Sequence, residues 1–332
     1  MTGNRQDALG LLLLSAGLLT LLVWGLTVGT SDISLADAWH ALWSDTDQRE
    51  EIVVQDVRLP RLLAAIVVGA ALAAAGTIMQ AVTGNPMADP GLLGVNAGAS
   101  FAVVLAIALG GVSGAQNLVW FAFLGAGGAA ALVYLLGGAG RSGTTPVKLI
   151  LAGVVVASFL GALTMSILVV DMQTFDEVRL WTAGSLKGRD MQGVLLLAPY
   201  AGVSLIGAIV LRQQFNALAL GSDTAGSLGQ NQPLWLAISA LLVVGLAGSA
   251  VALAGPIGFV GLVVPHLVRM SIGSNYARIL PFACLVGAGL TLLADTLPRA
   301  IFARDVPVGI SLAAIGAPFF IWLARRERAA RT

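Results

Sequence analysis

The chain has 332 residues, of which 57% are hydrophobic and 11% are charged, and its mean hydropathy is +0.89. The polar residues are too few to cover a soluble globule of this size, so the composition predicts an integral membrane protein. The formal net charge of +1 gives no indication of a nucleic-acid partner. The single cysteine, Cys284, excludes an intrachain disulfide, and His40 and His266 have no further ligands at the spacing of a metal site.

Apolar runs long enough to cross a hydrocarbon layer of about 30 Å recur along the chain. They predict one all-α transmembrane domain over residues 1–332 with ten spans, at about 8–28, 62–79, 92–109, 118–136, 149–170, 194–211, 233–253, 257–272, 279–297 and 306–324. The first run is too long for the apolar core of a signal peptide, so we expect it to remain as a span. The amino terminus is then cytoplasmic, and ten spans return the carboxyl terminus to the same side. The distribution of Lys and Arg favours this orientation weakly.

The stretch from Arg58 to Ala99 combines an arginine pair, an apolar helix and a broken loop. The helix is dense in Gly and Ala, which let neighbouring helices approach closely in lipid, so we expect protein around it. Pro86 and Pro90 then remove two backbone donors, and a helix cannot run through this loop. Irregular backbone at membrane depth is tolerated only inside protein or beside a wet cavity. The loop therefore either borders a transport pathway or is an ordinary interhelical turn.

A second stretch, residues 216–229, separates two strong spans with three glycines and several leucines. Gly221 can end one turn and Ser222 or Asp223 can begin another. This pattern predicts two short helices that project from the cytoplasmic side. The alternative is a plain amphipathic connector.

Three strings carry a resemblance to a known family: RLPR at 58–61, GNPMADPGLLGVNAGA at 84–99 and GFVGLVVPHLVR at 258–269. In this order they closely resemble the FecCD family, the membrane subunits of binding-protein-dependent ABC importers for ferric siderophores, haem and cobalamin. The resemblance extends through nearly the whole chain. It implies the fold of a type II ABC importer permease, in which spans two to five and seven to ten form an inverted repeat. It also implies a transport subunit rather than an enzyme, in the inner membrane of a bacterium.

The resemblance implies the partners of the chain as well. They are two ABC ATPase subunits that bind ATP and Mg²⁺, a second permease chain in a homodimer or heterodimer, an extracytoplasmic substrate-binding protein, a ferric siderophore as substrate, and membrane lipid. We expect no cofactor and no nucleic acid on this chain. It contains no GxxxxGK[ST] string that could cradle the phosphates of ATP.

Candidate site residues follow from the same resemblance. The helices that dock on the ATPase correspond to Asn216, Leu218, Leu220, Gly221, Ser222, Asp223, Ala225, Leu228 and Gly229. A cytoplasmic gate is expected at Asn85, Met87, Thr145, Pro146 and Val147, and the fifth and tenth spans are expected to line the pathway. The outward-facing arginines that receive acidic residues of the binding protein correspond to Arg58, Arg61 and Arg299. The alternative for these arginines is that they anchor helix ends and pair with nearby Asp and Glu residues.

The substrate and the class of transporter each have alternatives. Pro146 and Val147 stand where small hydroxyl residues are expected in the cobalamin relatives, and Asp89 in place of Glu favours a ferric siderophore over haem or cobalamin. An ion-coupled secondary transporter usually carries an ionisable residue at mid-span, and the predicted spans have none at their centres. An intramembrane enzyme would need a nucleophile with its base, or a set of metal ligands, within the spans, and the sequence shows neither.

Overall fold

The computed structural model describes residues 2–29, 33–44, 48–112, 114–138, 145–227, 229–302 and 304–329. The secondary structure of these residues is helical throughout. A π-helical turn (Val53–Arg58) and a 3₁₀-helix (Pro90–Leu93) accompany fifteen α-helices. The α-helices are α1 (Thr2–Thr27), α2 (Leu35–Ala41), α3 (Arg49–Ile52), α4 (Leu59–Thr83), α5 (Val95–Gly110), α6 (Ala115–Gly138), α7 (Pro146–Val170), α8 (Met172–Thr182), α9 (Met191–Val210), α10 (Arg212–Leu218), α11 (Ser222–Ser227), α12 (Gln232–Ala254), α13 (Val260–Ile272), α14 (Tyr276–Phe302) and α15 (Val308–Ala329).

The long helices correspond to the predicted spans. In the described part of the chain, seven helices are long and apolar enough to cross a membrane: α1, the continuous helix from α3 through α4, α6, α7, α9, α12 and α14. Three shorter apolar helices accompany them: α5, α13 and the segment Val308–Phe319 of α15. Each of the ten predicted spans overlaps one of these helices. The all-α membrane fold is therefore confirmed.

Helix α4 lies at the centre of the bundle. It packs against α14, α12, α13 and α9, and its apolar window is 78% buried, compared with 11% for α1. Small residues make this close packing possible. A Cβ atom at Gly69 would come within 2.2 Å of the carbonyl oxygen of Gly287 in α14. The run of Gly and Ala in α4 thus lies against protein on several sides, as its composition predicts.

Helices α5 and α13 are short because each follows an irregular loop. At about 1.5 Å per residue their 16 and 13 residues span roughly 24 and 20 Å, less than the thickness of the hydrocarbon layer. Gly84 (φ 61°) ends α4 before the first loop, and Gly255 (φ 78°) ends α12 before the second. A Cβ at Gly261, at the start of α13, would lie 2.6 Å from the ring of Pro90 in the first loop. The start of α13 therefore meets the first loop beside α4.

Polar contacts show which helix ends lie together. The carboxylate of Asp7 in α1 pairs with Arg278 at the start of α14. The backbone N–H of Tyr276, also at the start of α14, donates to the side-chain oxygen of Asn216 in α10 at 2.7 Å. The starts of α1 and α14 thus lie at the same end of the bundle as α10 and α11. We call this the near end.

The far end carries the short helices α2, α3 and α8. Here Arg58, at the start of α4, donates to the carbonyl oxygen of Leu26 at the end of α1. The backbone N–H of Gly309 in α15 donates to the carbonyl oxygen of Gly184, just after α8, at 2.9 Å. The arginines and the predicted docking helices therefore lie at opposite ends, as the predicted topology requires.

Candidate functional site

The far end holds a buried ionic cluster centred on Arg61 and Asp295. The guanidinium group of Arg61 in α4 donates from Nε to both carboxylate oxygens of Asp295 in α14, at 3.1 and 2.9 Å. A further bond from Nη2 to Oδ1 of Asp295 measures 2.9 Å. The side chains of Arg61 and Asp295 are 7% and 0% exposed. Such a forked, desolvated pair fixes the relative position of α4 and α14 at this end.

Arg299 completes the cluster, and Arg58 lies at the same end against the end of α1. Arg299 donates from Nη2 to Asp295 at 2.8 Å, and from Nε to the backbone carbonyl oxygen of the same residue at 3.1 Å. Arg58 is 3% exposed, and its guanidinium group lies over Gly29, where a Cβ would come within 2.6 Å of Nη2. Arg61 and Asp295 therefore join α4 to α14, and Arg58 joins the start of α4 to the end of α1.

Arg58, Arg61 and Arg299 all lie at the far end, opposite the short helices α10 and α11. All three side chains are buried and bonded inside the chain, because Asp295 and backbone carbonyl oxygens offer partners away from water. The geometry matches the alternative in which the arginines pair with nearby carboxylates. The spacing of Asp295 and Arg299, one helical turn apart, is the local signal of this pairing. Docking of a binding protein on the three arginines stays a prediction.

Asp305 links the buried cluster to the surface. It lies between α14 and α15, accepts from Nη1 of Arg61 at 2.7 Å and pairs with the exposed Lys187 at 3.2 Å. Partial burial by itself raises the pKa of this carboxyl. The hydrogen bond and charge of Arg61, followed by those of Lys187, outweigh that effect and lower the pKa of Asp305 from its ordinary value.

The near end carries the two short helices that the sequence predicts between the sixth and seventh spans. Phe215 and Leu218 of α10 and Ala225 of α11 are buried, so they attach the pair to the bundle. Leu220, in the turn between the helices, is 61% exposed, and Gly221 next to it has a φ of 93°. The pair therefore presents Leu220 on a turn whose shape depends on glycine.

The remaining predicted docking residues flank this turn. Ser222 begins α11 and Asp223 follows it, while Gly229 has a φ of 81° and Leu228 lies outside the described residues. Asn216 bonds to the turn before α14, donating to Oδ1 of Asn275 at 3.0 Å. Whether these residues contact an ATPase stays a prediction.

A cleft of about 600 Å³ lies between α10, the end of α4 and the turn before α14. Leu220, Asn216 and Gly84 line it, together with Arg269 and Tyr276. Gly84 ends α4 and begins the first broken loop. A group bound in this cleft would contact both the short helices and the start of that loop.

The predicted gate residues lie on two neighbouring segments. Asn85 follows α4, and its side-chain oxygen accepts from the backbone N–H of Met87 at 2.9 Å, which holds the loop in a tight turn. Thr145 caps α7 and Pro146 begins it, while the side chain of Val147 is 66% exposed.

The two segments that carry these residues touch each other. A Cβ at Gly153 in α7 would lie 1.7 Å from the carbonyl oxygen of Leu92, so the loop and α7 are in backbone contact. The gating role itself stays a prediction.

The fold and these sites together define a class: a polytopic helical membrane protein of the permease type, with broken loops inside the bundle and paired short helices at one end. The chain belongs to the FecCD transport family, which matches residues 17–326. The members of this family are permeases of ABC importers, transport subunits rather than enzymes, and they work with ATPase subunits and a substrate-binding protein.

Individual relatives match over most of their length. A probable siderophore transport system permease protein of Bacillus subtilis (strain 168) is 43% identical over 310 residues, which cover 93% of each chain. The ferric enterobactin transport system permease protein of Escherichia coli (strain K12) is 40% identical over 315 residues, 94% of each chain. A solved metal-chelate type ABC transporter in an inward-facing conformation superposes with a TM-score of 0.83 at 30% identity, covering 96% of this chain and 99% of the other.

Proposed function

We propose that this chain is the permease subunit of an ATP-driven importer for a ferric siderophore in the bacterial inner membrane. The observation that carries the proposal is the near end, where an exposed leucine turn between two anchored short helices adjoins the loop that follows the central helix α4. In this proposal the leucine turn is the surface for a motor protein, and it lies beside the loop that follows α4. The names of the relatives described above support an iron chelate as the substrate.

The energy source in this proposal is a separate protein. Two ABC ATPase subunits bind ATP and Mg²⁺ and dock at the near end, one on α10 and α11 of each permease chain. The near end, with both termini, then faces the cytoplasm. The far end faces the binding protein, which delivers the chelate, and the cluster around Asp295 holds the helix ends there in place.

A second permease chain completes the pathway in this proposal. The face proposed for it is helix α7, the fifth span that the resemblance assigns to the pathway, and only 11% of the apolar window of α7 is buried within this chain, as for α1. The exposed positions of α7 include Ser158, Gly161 and Ser166 among the apolar residues. Small and hydroxyl residues suit a helix interface or a wet path better than they suit lipid tails. The gate would then form where α7 begins, at Thr145, Pro146 and Val147, opposite Asn85 and Met87.

Reconstitution tests the proposal directly. Proteoliposomes that contain the chain, its ATPase partner and its binding protein should accumulate a ferric siderophore only when ATP is supplied, and haem and cobalamin should compete poorly. Vesicles that lack the ATPase subunit are the control. Accumulation against a gradient in those vesicles, driven by protons or sodium, would contradict the proposal in favour of a secondary transporter.

A further inference from the structure

Four elements of the near end are joined through polar side chains. At the start of α14, Tyr276 donates from its backbone N–H to the side-chain oxygen of Asn216 in α10, at 2.7 Å. Its hydroxyl oxygen accepts from Nη2 of Arg269 in α13 at 2.8 Å. The same nitrogen of Arg269 donates to the side-chain oxygen of Gln80 in α4 at 3.0 Å. We call Asn216, Tyr276, Arg269 and Gln80 the near-end chain.

The near-end chain is largely shielded from water. Gln80 is 0% exposed and Tyr276 is 7% exposed. The guanidinium carbon of Arg269 also lies 5.3 Å from the centre of the Tyr276 ring, which adds a cation–π contact. Hydrogen bonds from a charged donor are about twice as strong as neutral ones, and a low dielectric strengthens them further. A displacement of one member therefore strains its hydrogen bond to the next member, and the next member is stabilised by moving with it.

A purely local role for Arg269 does not explain why it bonds to Gln80 of another helix. Arg269 lies in the last turn of α13, where a cation is stabilised by the helix dipole without any contact to α4. Gln80, however, reaches across from α4 and also donates to the carbonyl oxygens of Leu262 and Gly261 at 3.3 and 3.4 Å. Gln80 thus ties α4 to both the start and the end of α13.

The two ends of the near-end chain lie at the two parts that a coupled transporter must connect. Asn216 belongs to the short helices proposed to dock on the ATPase. Gln80 lies four positions before Gly84, which ends α4 and begins the broken loop with Asn85 and Met87. A rigid helical turn separates Gln80 from the loop, so a shift of Gln80 moves the start of the loop with it.

We infer that the near-end chain transmits a displacement of α10 to the end of α4 and the broken loop, so that Gln80, Arg269 and Tyr276 are positioning residues for the gate. This inference deepens the proposed function and rests on it. The near-end chain needs no new contact to the ATPase or to the substrate. Its effect is on the amount of transport obtained for each ATP hydrolysed.

The substitution Tyr276→Phe tests the inference with the smallest change. It removes the hydroxyl oxygen that accepts from Arg269 and keeps the ring and the backbone bond to Asn216. In proteoliposomes of the full complex we expect ATP hydrolysis to continue while uptake per ATP falls about three- to tenfold, the equivalent of one lost hydrogen bond. Gln80→Met, which keeps the side-chain length, should shift the ratio in the same direction.

The double variant separates a connected chain from independent packing defects. Both substitutions remove a partner of the same nitrogen of Arg269, so their combined effect on uptake per ATP should be smaller than the product of the single effects. Tyr134→Phe is the matched control. The hydroxyl of Tyr134 lies at the same end and donates to the carbonyl oxygen of Pro233 at 3.2 Å, but Tyr134 is not part of the near-end chain. The variant should keep the wild-type ratio of uptake to ATP hydrolysis.

Three results would overturn the inference: a wild-type ratio of uptake to hydrolysis in both single variants, an equal fall in Tyr134→Phe, or single effects that multiply in the double variant. Thermal unfolding of each purified complex checks that the variants are folded. Tyr276→Phe still decides the matter if Gln80→Met does not fold. A wild-type complex that shows no ATP-driven uptake at all contradicts the proposed function itself, and the inference fails with it.

Discussion

Gly76 of α4 and Gly261 of α13 are in direct backbone contact: a Cβ atom at Gly76 would lie 1.9 Å from the carbonyl oxygen of Gly261. The obstacle to a side chain at Gly76 is a backbone atom, not the end of a flexible side chain that could move away. Because Gly261 also lies against Pro90, the central helix, the start of α13 and the first broken loop meet at this one point. Small residues are what allow the irregular backbone to be buried against a helix.

Gly76→Ala should therefore destabilise the protein more than an added methyl group usually does. Overpacking costs about 1–3 kcal/mol in ordinary cores, and we expect at least the upper part of that range because the obstacle is backbone. Thermal unfolding in detergent measures the effect. Gly17→Ala in α1 is the control, since nothing lies within 4 Å of its added Cβ, and it should leave the midpoint unchanged or slightly raised. Equal midpoints for the two variants would contradict the packing described.

Asp295→Asn should weaken the far end severely. The substitution leaves the guanidinium groups of Arg61 and Arg299 buried without their shared anion, and breaking one side of a buried pair costs about 3–5 kcal/mol. The free energy of unfolding in denaturant is the measurement. Asp176→Asn removes the exposed pair with Arg179, whose side chains are 64% and 59% exposed, and should change stability by less than about 0.5 kcal/mol. A comparable loss in both variants would show that burial of the cluster is not what stabilises it.

The contribution of Asp305 should depend on pH in the acid range. Its folded pKa is lowered, so the carboxylate stabilises the protein above its ordinary value of 3.8, and this stabilisation disappears as the pH falls through the lower folded pKa. Asp305→Asn should then have a lower unfolding midpoint than wild type at pH 7. The two midpoints should begin to converge below about pH 4 and should meet once the pH lies below the folded pKa. A difference that stays constant from pH 7 to pH 3 would mean that the charge of Asp305 is not involved.

The sequence predicted the helices well but left two alternatives open for the arginines, for physical reasons. Long apolar runs and Gly/Pro breaks are local signals, and they placed the spans, the loop after α4 and the turn at Gly221. The burial of Arg61 depends on Asp295 and Asp305, which lie 234 and 244 positions away, so no local pattern reveals it. The same holds for Gln80 and Arg269, although a glutamine inside an apolar helix is a visible hint of a buried polar partner.

Leu220→Ser should weaken binding of the ATPase partner while leaving the bundle folded. Leu220 is 61% exposed on the turn between α10 and α11, so its side chain contributes little to the fold and is accessible to a docked protein. Losing a buried leucine from an interface costs about 1.5 kcal/mol, which corresponds to roughly a tenfold rise in Kd. Titration of the solubilised permease with its ATPase subunit measures this change, and ATP-driven uptake should fall with it.

Leu9→Ser in α1 is a close control, because Leu9 is 58% exposed and lies at the same end of the bundle but away from the short helices. Unchanged ATPase binding in Leu220→Ser, or an equal loss in Leu9→Ser, would place the docking surface elsewhere on the near end.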